Sequence, residues 1–470
     1  MKIHSLGFAI LGLLMMLWAP GGAMGQDAPP AYVGNWSGEL AVRDQTLEIG
    51  FSFTLTDQGL SAVMHSPDQG AFDIPASARA NSDGITVTVT GADVTFTGTL
   101  ADANTIEGAF SQRGNSFPLT ILRQDTAPER AVLNRPQTPK PPFGYVVEDI
   151  RFPGGDGGVV LAGTLTKPHG SGPFPAIVTI TGSGPQDRDE TIDEHKPFHV
   201  IADHLTKAGF AVLRYDDRGI AESTGDFRSA TSLDFAADAN AAVAALMSRD
   251  DVDARRISLL GHSEGGLIAP LAAKDNQNVS ALILLAPPIA TMAEVARVQT
   301  RLQGESNGLS EEEIQTELDE IDQMIQVFRS AQTVEEARIR ARQLLDESDF
   351  DEDRRARAVR NIERQINPWS HFMFNYDPSE TLRHIEIPVL ALFAEKDVSV
   401  EPVRNRELFD GIKAPSNVQG WRGETFAGLN HLFQTADTGA QSEYREIEET
   451  INPVVLHTIE TWIAGLELTE

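Results

Sequence analysis

The chain has 470 residues, enough for two to three domains at about 150 residues each. Hydrophobic residues make up 41% and charged residues 23%, the range of a folded soluble protein rather than a disordered one. Asp and Glu number 68 against 38 Lys and Arg; the formal net charge of -30 argues against the basic footprint of a nucleic-acid binder. The absence of cysteine excludes disulfides, thiolate metal sites and a cysteine nucleophile.

Residues 1–25 read as a secretory signal peptide. Lys2 supplies the positive start, and Leu6 to Ala19 form an apolar stretch too short to span a membrane comfortably. Ala23-Met24-Gly25 offers small residues where a signal peptidase reads, so cleavage is expected before Gln26. The alternative is an uncleaved anchor helix. No later stretch is apolar enough to span, so the mature protein is expected in a periplasm or outside the cell, with no stable membrane anchor.

Residues 26–123 form the first expected domain. From Tyr32 to Arg123 apolar and polar residues alternate with period two, as in Leu47-Ile49-Phe51-Phe53-Leu55 and Ile85-Val87-Val89. Turn residues such as Asn81-Ser82-Asp83-Gly84 break the runs, which suggests an all-β barrel or sandwich. Residues 124–143 carry Pro128, Pro136, Pro139, Pro141 and Pro142, a semi-rigid linker.

Beyond it, over 144–470, the rhythm changes. Short, nearly continuous apolar strands at Ala176–Ile180, Phe210–Leu213, Ile257–Leu260 and Val279–Leu285 alternate with helical patterns. That order means a mostly parallel sheet covered on both faces. Residues 290–366 interrupt it as a helical, acidic insertion. Ser310 with Glu313 and Thr333 with Glu336 read as capping signals, and Ile314, Leu318, Ile321, Ile325 and Phe328 share one helical face. The sheet resumes at Pro388–Phe393, and a last helix runs from about Pro453 to Gly465.

Gly261-His262-Ser263-Glu264-Gly265 matches G-x-S-x-G directly after one of these strands and directly before a helix. A sharp strand-to-helix turn there projects the serine hydroxyl, the glycines relieve crowding, and the helix N-terminus favours developing negative charge. Ser263 is therefore the candidate nucleophile. A serine needs a base held by an acid, and on such a sheet the chain order is Ser, Asp or Glu, then His. Asp397, after the strand at Ala391–Ala394, is the candidate acid, with Glu395 as the alternative. His431 is the candidate base; His457 reads instead as a face residue of the last helix. The oxyanion hole needs two backbone N–H groups: one from Glu264, the other from Ser183 or Gly182 in Thr181-Gly182-Ser183-Gly184. Arg214-Tyr215-Asp216-Asp217-Arg218-Gly219 could position substrate, but its charges are expected rather to pair with one another and fix the loop. Trp369, Phe372, Phe374 and Tyr376 cluster where the insertion rejoins the sheet; Trp369, Phe372 and Tyr376 are candidate substrate-binding residues.

The runs RPQTPKPPFGY, TGSGPQDRD, RYDDRGIAESTGDF, GHSEGG, AEKD and NHLFQ resemble the α/β-hydrolase superfamily, over about residues 135–470. More narrowly, the chain resembles exported bacterial carboxylesterases with an extra N-terminal β domain. Relatives of this kind are also named for dienelactone-hydrolase-like or serine-aminopeptidase-like activity. The Gly34-x-Trp36 start is similar to small lipocalin-like barrels. In one departure, Ile220-Ala221 stands where a glycine usually follows Arg-Gly-x. The resemblance implies a serine hydrolase needing neither metal nor cofactor and acting on a small-molecule ester. The alternatives are a peptidase or amidase with the same triad, or a lipid- or glycan-binding protein whose hydrolase domain is inactive.

Overall fold

A computed structural model describes residues 30–466, except 43–44, 58, 70, 90–93, 113–114, 130–132, 157, 307–308, 347–354, 356–358, 360–361 and 417. The expected signal peptide lies outside the described residues. The chain divides into two compact units.

The first is a closed antiparallel barrel of eight strands in sequential order. They are β1 (Gly34–Val42), β2 (Gln45–Thr56), β3 (Gly59–Ser66), β4 (Ala71–Asn81), β5 (Gly84–Val89), β6 (Val94–Asp102), β7 (Thr105–Gln112) and β8 (Asn115–Gln124). Period-two alternation turns Phe51, Phe53, Phe96, Ile106, Leu119 and Ile121 into one buried cluster. The barrel closes where Trp36 of β1 pairs with Arg123 of β8. The Trp36 indole donates to the Tyr32 carbonyl at 2.8 Å, and the Arg123 guanidinium lies 4.2 Å over its ring. Closure also requires Gly38, since a Cβ there would sit 2.0 Å from the Thr120 carbonyl oxygen.

The second unit carries an eight-stranded sheet. Its strands are β9 (Val146–Pro153), β10 (Val160–Lys167), β11 (Phe174–Ile180), β12 (Ala211–Tyr215), β13 (Val252–His262), β14 (Val279–Leu285), β15 (Val389–Ala394) and β16 (Arg422–Phe426). The order is β16-β15-β14-β13-β11-β12-β10-β9; β10 pairs antiparallel with both β12 and β9, and every other pair is parallel. Flanking helices are α1 (Pro197–Lys207), α2 (Ser232–Met247) and α3 (Gly265–Ala273). Two buried clusters cover the two faces: α2 and α3 pack on one, and α1 with a C-terminal helix, residues 453–464, on the other.

Between β14 and β15 run α4 (Met292–Ser306), α5 (Glu311–Ser330), α6 (Val334–Asp346), α7 (Pro368–Asn375) and α8 (Pro378–Leu382). Helices thus continue past residue 366. Ser310 and Glu313 form the capping box at the start of α5, with the Ser310 N–H donating to Glu313 at 2.8 Å. Ile314, Ile321, Ile325 and Phe328 are buried and Leu318 half-buried. These faces meet Ala337, Ile366 and Phe374 in a cluster of their own, where Phe328 stacks on Phe374 at 4.5 Å. The chain ends through α9 (Pro402–Gly411) and α10 (Pro453–Ala464). Among the described residues no helix is long and apolar enough to cross a membrane.

Candidate active site

The candidate residues lie at the C-terminal ends of the parallel strands, the edge where open α/β sheets place their sites. Strand β13 ends at His262 and α3 starts at Gly265, so the chain reverses within two residues. Ser263 sits in this turn at φ +53°, a left-handed conformation that costs an L-residue about 1–2 kcal/mol. Its N–H donates to the Leu285 carbonyl at 2.8 Å, which pins the turn to the end of β14. A Cβ on Gly261 would lie 2.0 Å from the Gly265 carbonyl oxygen, and one on Gly265 2.1 Å from that of Ile180. Both glycines are steric requirements of the turn.

Asp397 follows β15 and is buried. Its Oδ1 accepts from the backbone N–H groups of Ser399 and Val400, each at 2.8 Å, and its Oδ2 lies 2.6 Å from Nδ1 of His431. A carboxylate only accepts, so Nδ1 carries the proton and Nε2 is left as the acceptor. Glu395 does not reach His431; it is exposed and accepts from the Gly428 N–H at 2.7 Å. His457 lies exposed on α10, 3.8 Å from Glu460.

The loop after β11 departs from the sequence expectation at one position. The Gly182 N–H donates to Oε1 of Glu190 at 2.7 Å. That donor is occupied by a carboxylate, so Gly182 is corrected as an oxyanion donor, and Ser183 stands as the other candidate beside Glu264. Glu190 also holds Nδ1 of His262 at 3.0 Å, and Nε2 of His262 donates to the His431 carbonyl at 3.0 Å. Neither Glu190 nor His262 was singled out from sequence; the one available signal was His262 inside the elbow motif itself.

The charges of 214–218 do not pair with one another. Arg214 pairs with Asp189, Asp216 accepts from Arg188 at 2.6 Å, and Arg218 donates to Asp238 at 2.7 Å. Asp217 accepts from Thr181 at 2.7 Å and from the Gln186 N–H at 3.0 Å, and burial pushes its carboxyl well above the usual range. Successive side chains leave a strand end on opposite sides, so their partners come from the 181–190 loop and α2. The effect is to lock the loop that carries Ser183.

The sequence model of the serine aminopeptidase family S33 matches residues 192–431, just over half of the chain. The chain belongs to this family. Esterase EstD of Thermotoga maritima is 29% identical over 275 residues, 58% of this chain and 58% of that protein. The chain therefore spans less than two thirds of the length of this curated relative. Among solved structures, an esterase of Pyrococcus furiosus is 15% identical, with 68% of this chain and 91% of that one covered at a TM-score of 0.40. A dienelactone hydrolase from Anabaena variabilis is 14% identical, covering 69% and 100% at a TM-score of 0.39. The expected fold, an α/β-hydrolase sheet with a helical insertion, preceded in sequence by an all-β barrel, is the fold of this S33 member.

In this S33 chain the three aromatic candidates separate. The Trp369 indole N–H donates to Oε1 of Glu264 at 2.7 Å. Phe372 and Tyr376 stack at 5.0 Å and, with Thr231, Val334, His371 and Asn375, line an open groove of about 440 Å³. Ser263, Asp397 and His431 are not among the residues lining it. Phe374 belongs to the core of the insertion. Among the described residues no group of three or more His, Asp or Glu stands ready to hold a metal ion.

The barrel holds a serine–histidine contact of its own, Ser52 Oγ to His65 Nε2 at 3.1 Å. Nδ1 of His65 accepts the Asp73 N–H at 3.3 Å, and burial lowers the pKa of the ring. The ring proton is then on Nε2, so His65 donates to Ser52, which itself donates to Asn35 at 2.8 Å. This polarity is opposite to that of a general base.

Proposed function

We propose that the protein is a serine carboxylic-ester hydrolase. The observation that carries this reading is the buried Asp397–His431 pair at 2.6 Å, whose loop is bonded at 3.0 Å to His262, the residue before a serine at φ +53°. Ser263 Oγ attacks the ester carbonyl carbon while Nε2 of His431 takes its proton, and Asp397 stabilises the imidazolium that forms. The backbone N–H groups of Glu264 and Ser183 hold the oxyanion. The tetrahedral adduct collapses, the C–O bond breaks, and His431 returns the proton to the leaving alcohol. Water then attacks the acyl-enzyme with His431 again as base, releasing the carboxylic acid and regenerating Ser263. No metal or cofactor enters this reaction.

The substrate class we propose is small-molecule esters of short to medium acyl chain, with Phe372 and Tyr376 on the substrate side. The EstD relative, named an esterase, supports ester over amide. The family description, serine aminopeptidase, favours a second reading, a peptidase or amidase with the same triad. We further propose export, with cleavage before Gln26, on the pattern of residues 1–25.

One experiment tests the reading. The purified protein is treated with a fluorophosphonate, digested and mapped by mass, then assayed on nitrophenyl esters and aminoacyl nitroanilides. Labelling at Ser263 with preferred ester turnover is expected. Preferred nitroanilide turnover selects the peptidase reading, and absence of labelling sinks both.

A further inference from the structure

The Glu264 carboxylate is 3% exposed and is the shared acceptor for three side chains from three separate elements. Ser183 Oγ, in the loop after β11, donates to Oε2 at 2.8 Å. Ser232 Oγ, the first residue of α2, and Trp369 Nε1, on α7, each donate to Oε1 at 2.7 Å. A buried carboxylate without partners would be strongly disfavoured, whereas three donors satisfy it and give it a fixed geometry. Its own backbone position follows Ser263 directly.

We infer that the Glu264 side chain is a positioning residue that couples the helical insertion to the oxyanion site. This rests on the serine-hydrolase reading above. By holding Ser183 Oγ, the carboxylate sets the direction of the Ser183 N–H. By holding Trp369, it makes that setting depend on α7. The helix α7 is in turn seated by Phe374, stacked on Phe328 inside the insertion. A chain of packed groups therefore runs from the insertion core through Trp369 and Glu264 to the Ser183 loop. The occupied Gly182 N–H adds weight, because it leaves Ser183 as the candidate donor from this loop. Oxyanion donors must sit within about 2.7–3.1 Å of the developing charge, and a misplacement of about 1 Å costs on the order of a hundredfold.

Two conservative substitutions isolate the link. Trp369→Phe keeps the aromatic bulk and deletes the N–H; Ser183→Ala keeps the backbone N–H and deletes the tether. Each is expected to lower kcat for nitrophenyl acetate and nitrophenyl butyrate equally, by roughly three- to tenfold, with KM within about twofold. Because both act through one carboxylate, the double variant should be no worse than about twofold below the weaker single. Glu264→Gln should lose more, roughly tenfold to a hundredfold. If that variant does not fold, the conservative pair decides alone. Effects of Trp369→Phe and Ser183→Ala that multiply overturn the coupling. So does a Trp369→Phe effect confined to KM and scaling with acyl length, which is the signature of a pocket wall. Wild-type protein that takes no fluorophosphonate at Ser263 fails at the earlier step and removes the reaction being positioned.

Discussion

His262 binds the main chain of His431: its Nε2 donates to the His431 carbonyl at 3.0 Å, and the two rings stand 4.8 Å apart. Its Nδ1 lies 3.0 Å from Glu190. A carbonyl and a carboxylate both only accept, so the two bonds together call for a proton on each ring nitrogen. Burial opposes that charge, but Glu190 and the His431 carbonyl outweigh it, with Asp397 adding to them, and the pKa of His262 is raised. The residue before the serine is thus a buried histidine whose charged form is favoured, and it ties the elbow to the loop of His431 and, through Glu190, to the loop of Gly182.

From this follows a pH signature for His262→Gln. A group whose pKa is raised on folding contributes stability that is fully present below its ordinary pKa of 6.5 and is lost as pH rises through the raised value. Urea denaturation of wild type and His262→Gln should show the largest gap on the acid side and a shrinking gap toward alkaline pH. Turnover should fall on the order of tenfold as the His431 loop loosens. A gap that does not change with pH would contradict the raised pKa.

Ser263→Ala and His431→Ala should each reduce turnover about a thousandfold or more, with the double variant little worse, because members of a triad act as a unit. Asp397→Asn should also lose activity, since an amide no longer fixes the His431 tautomer and presents an NH₂ to the Ser399 and Val400 donors or to His431. Glu395→Gln should be nearly silent, because Glu395 holds only the Gly428 N–H at the loop surface. Steady-state rates on nitrophenyl esters decide, and loss at Glu395 with retention at Asp397 would transfer the role of the acid.

The elbow was legible because its determinants are local: two glycines, a serine and the change from strand to helix fall within five residues. The parallel core strands were legible as apolar runs. Strand β16, Arg-Gly-Glu-Thr-Phe, was not, because it is an edge strand whose one buried residue is Phe426. Strands β9 and β10 were also not distinguished, lying between Pro/Gly-rich segments. What sequence could not supply was pairing between distant loops. Glu190 with His262, Glu264 with Trp369, and the outward pairing of Arg214, Asp216 and Arg218 join residues 20 to 105 positions apart.

The departure at Ile220-Ala221 has a backbone consequence. Ala221 sits at φ +45° and is exposed, in the position where the family resemblance leads one to expect glycine. A Cβ in the left-handed region costs about 1 kcal/mol or more, and here no packing offsets it. Ala221→Gly should therefore leave stability unchanged or raise it by up to about 1 kcal/mol, after the entropy glycine adds to the unfolded chain. Denaturant midpoints report the difference, and a clear loss of stability would contradict the strain.

Acid should act on a second buried histidine in the opposite sense. His195 is fully buried, with Nε2 on the Tyr444 carbonyl and Nδ1 on Thr450 Oγ1, both at 2.9 Å. Burial, with nearby Arg135 reinforcing it, lowers its pKa to about 4. A depressed pKa contributes stability present above 6.5 that is lost as pH falls toward about 4. Between those limits the wild type should lose about 3 kcal/mol more than His195→Gln. Parallel loss in both proteins would exclude His195 as the source.

The groove beside Phe372 and Tyr376 separates two ways in which the insertion could meet substrate. Residues Pro368, His371, Phe372 and Asn375 form one face of α7, continued by Tyr376 just past its end, while Trp369 and Met373 lie on another, toward Glu264 and Ser232. The Tyr376 hydroxyl is turned to Thr381, and burial pushes its pKa up to about 12. It therefore presents a ring rather than an anion. Since Ser263, Asp397 and His431 do not line this groove, a two-carbon acyl group on Ser263 is expected not to depend on it. Phe372→Ala should leave nitrophenyl acetate turnover within about twofold and raise KM for octanoyl and longer esters, as expected when apolar contact of about 25 cal/mol per Å² is removed. Measuring kcat and KM across a graded acyl series, in a variant whose melting confirms folding, gives the answer. An unchanged chain-length profile would show that the groove takes no part in acyl recognition and would leave Phe372 and Tyr376 as packing for the insertion.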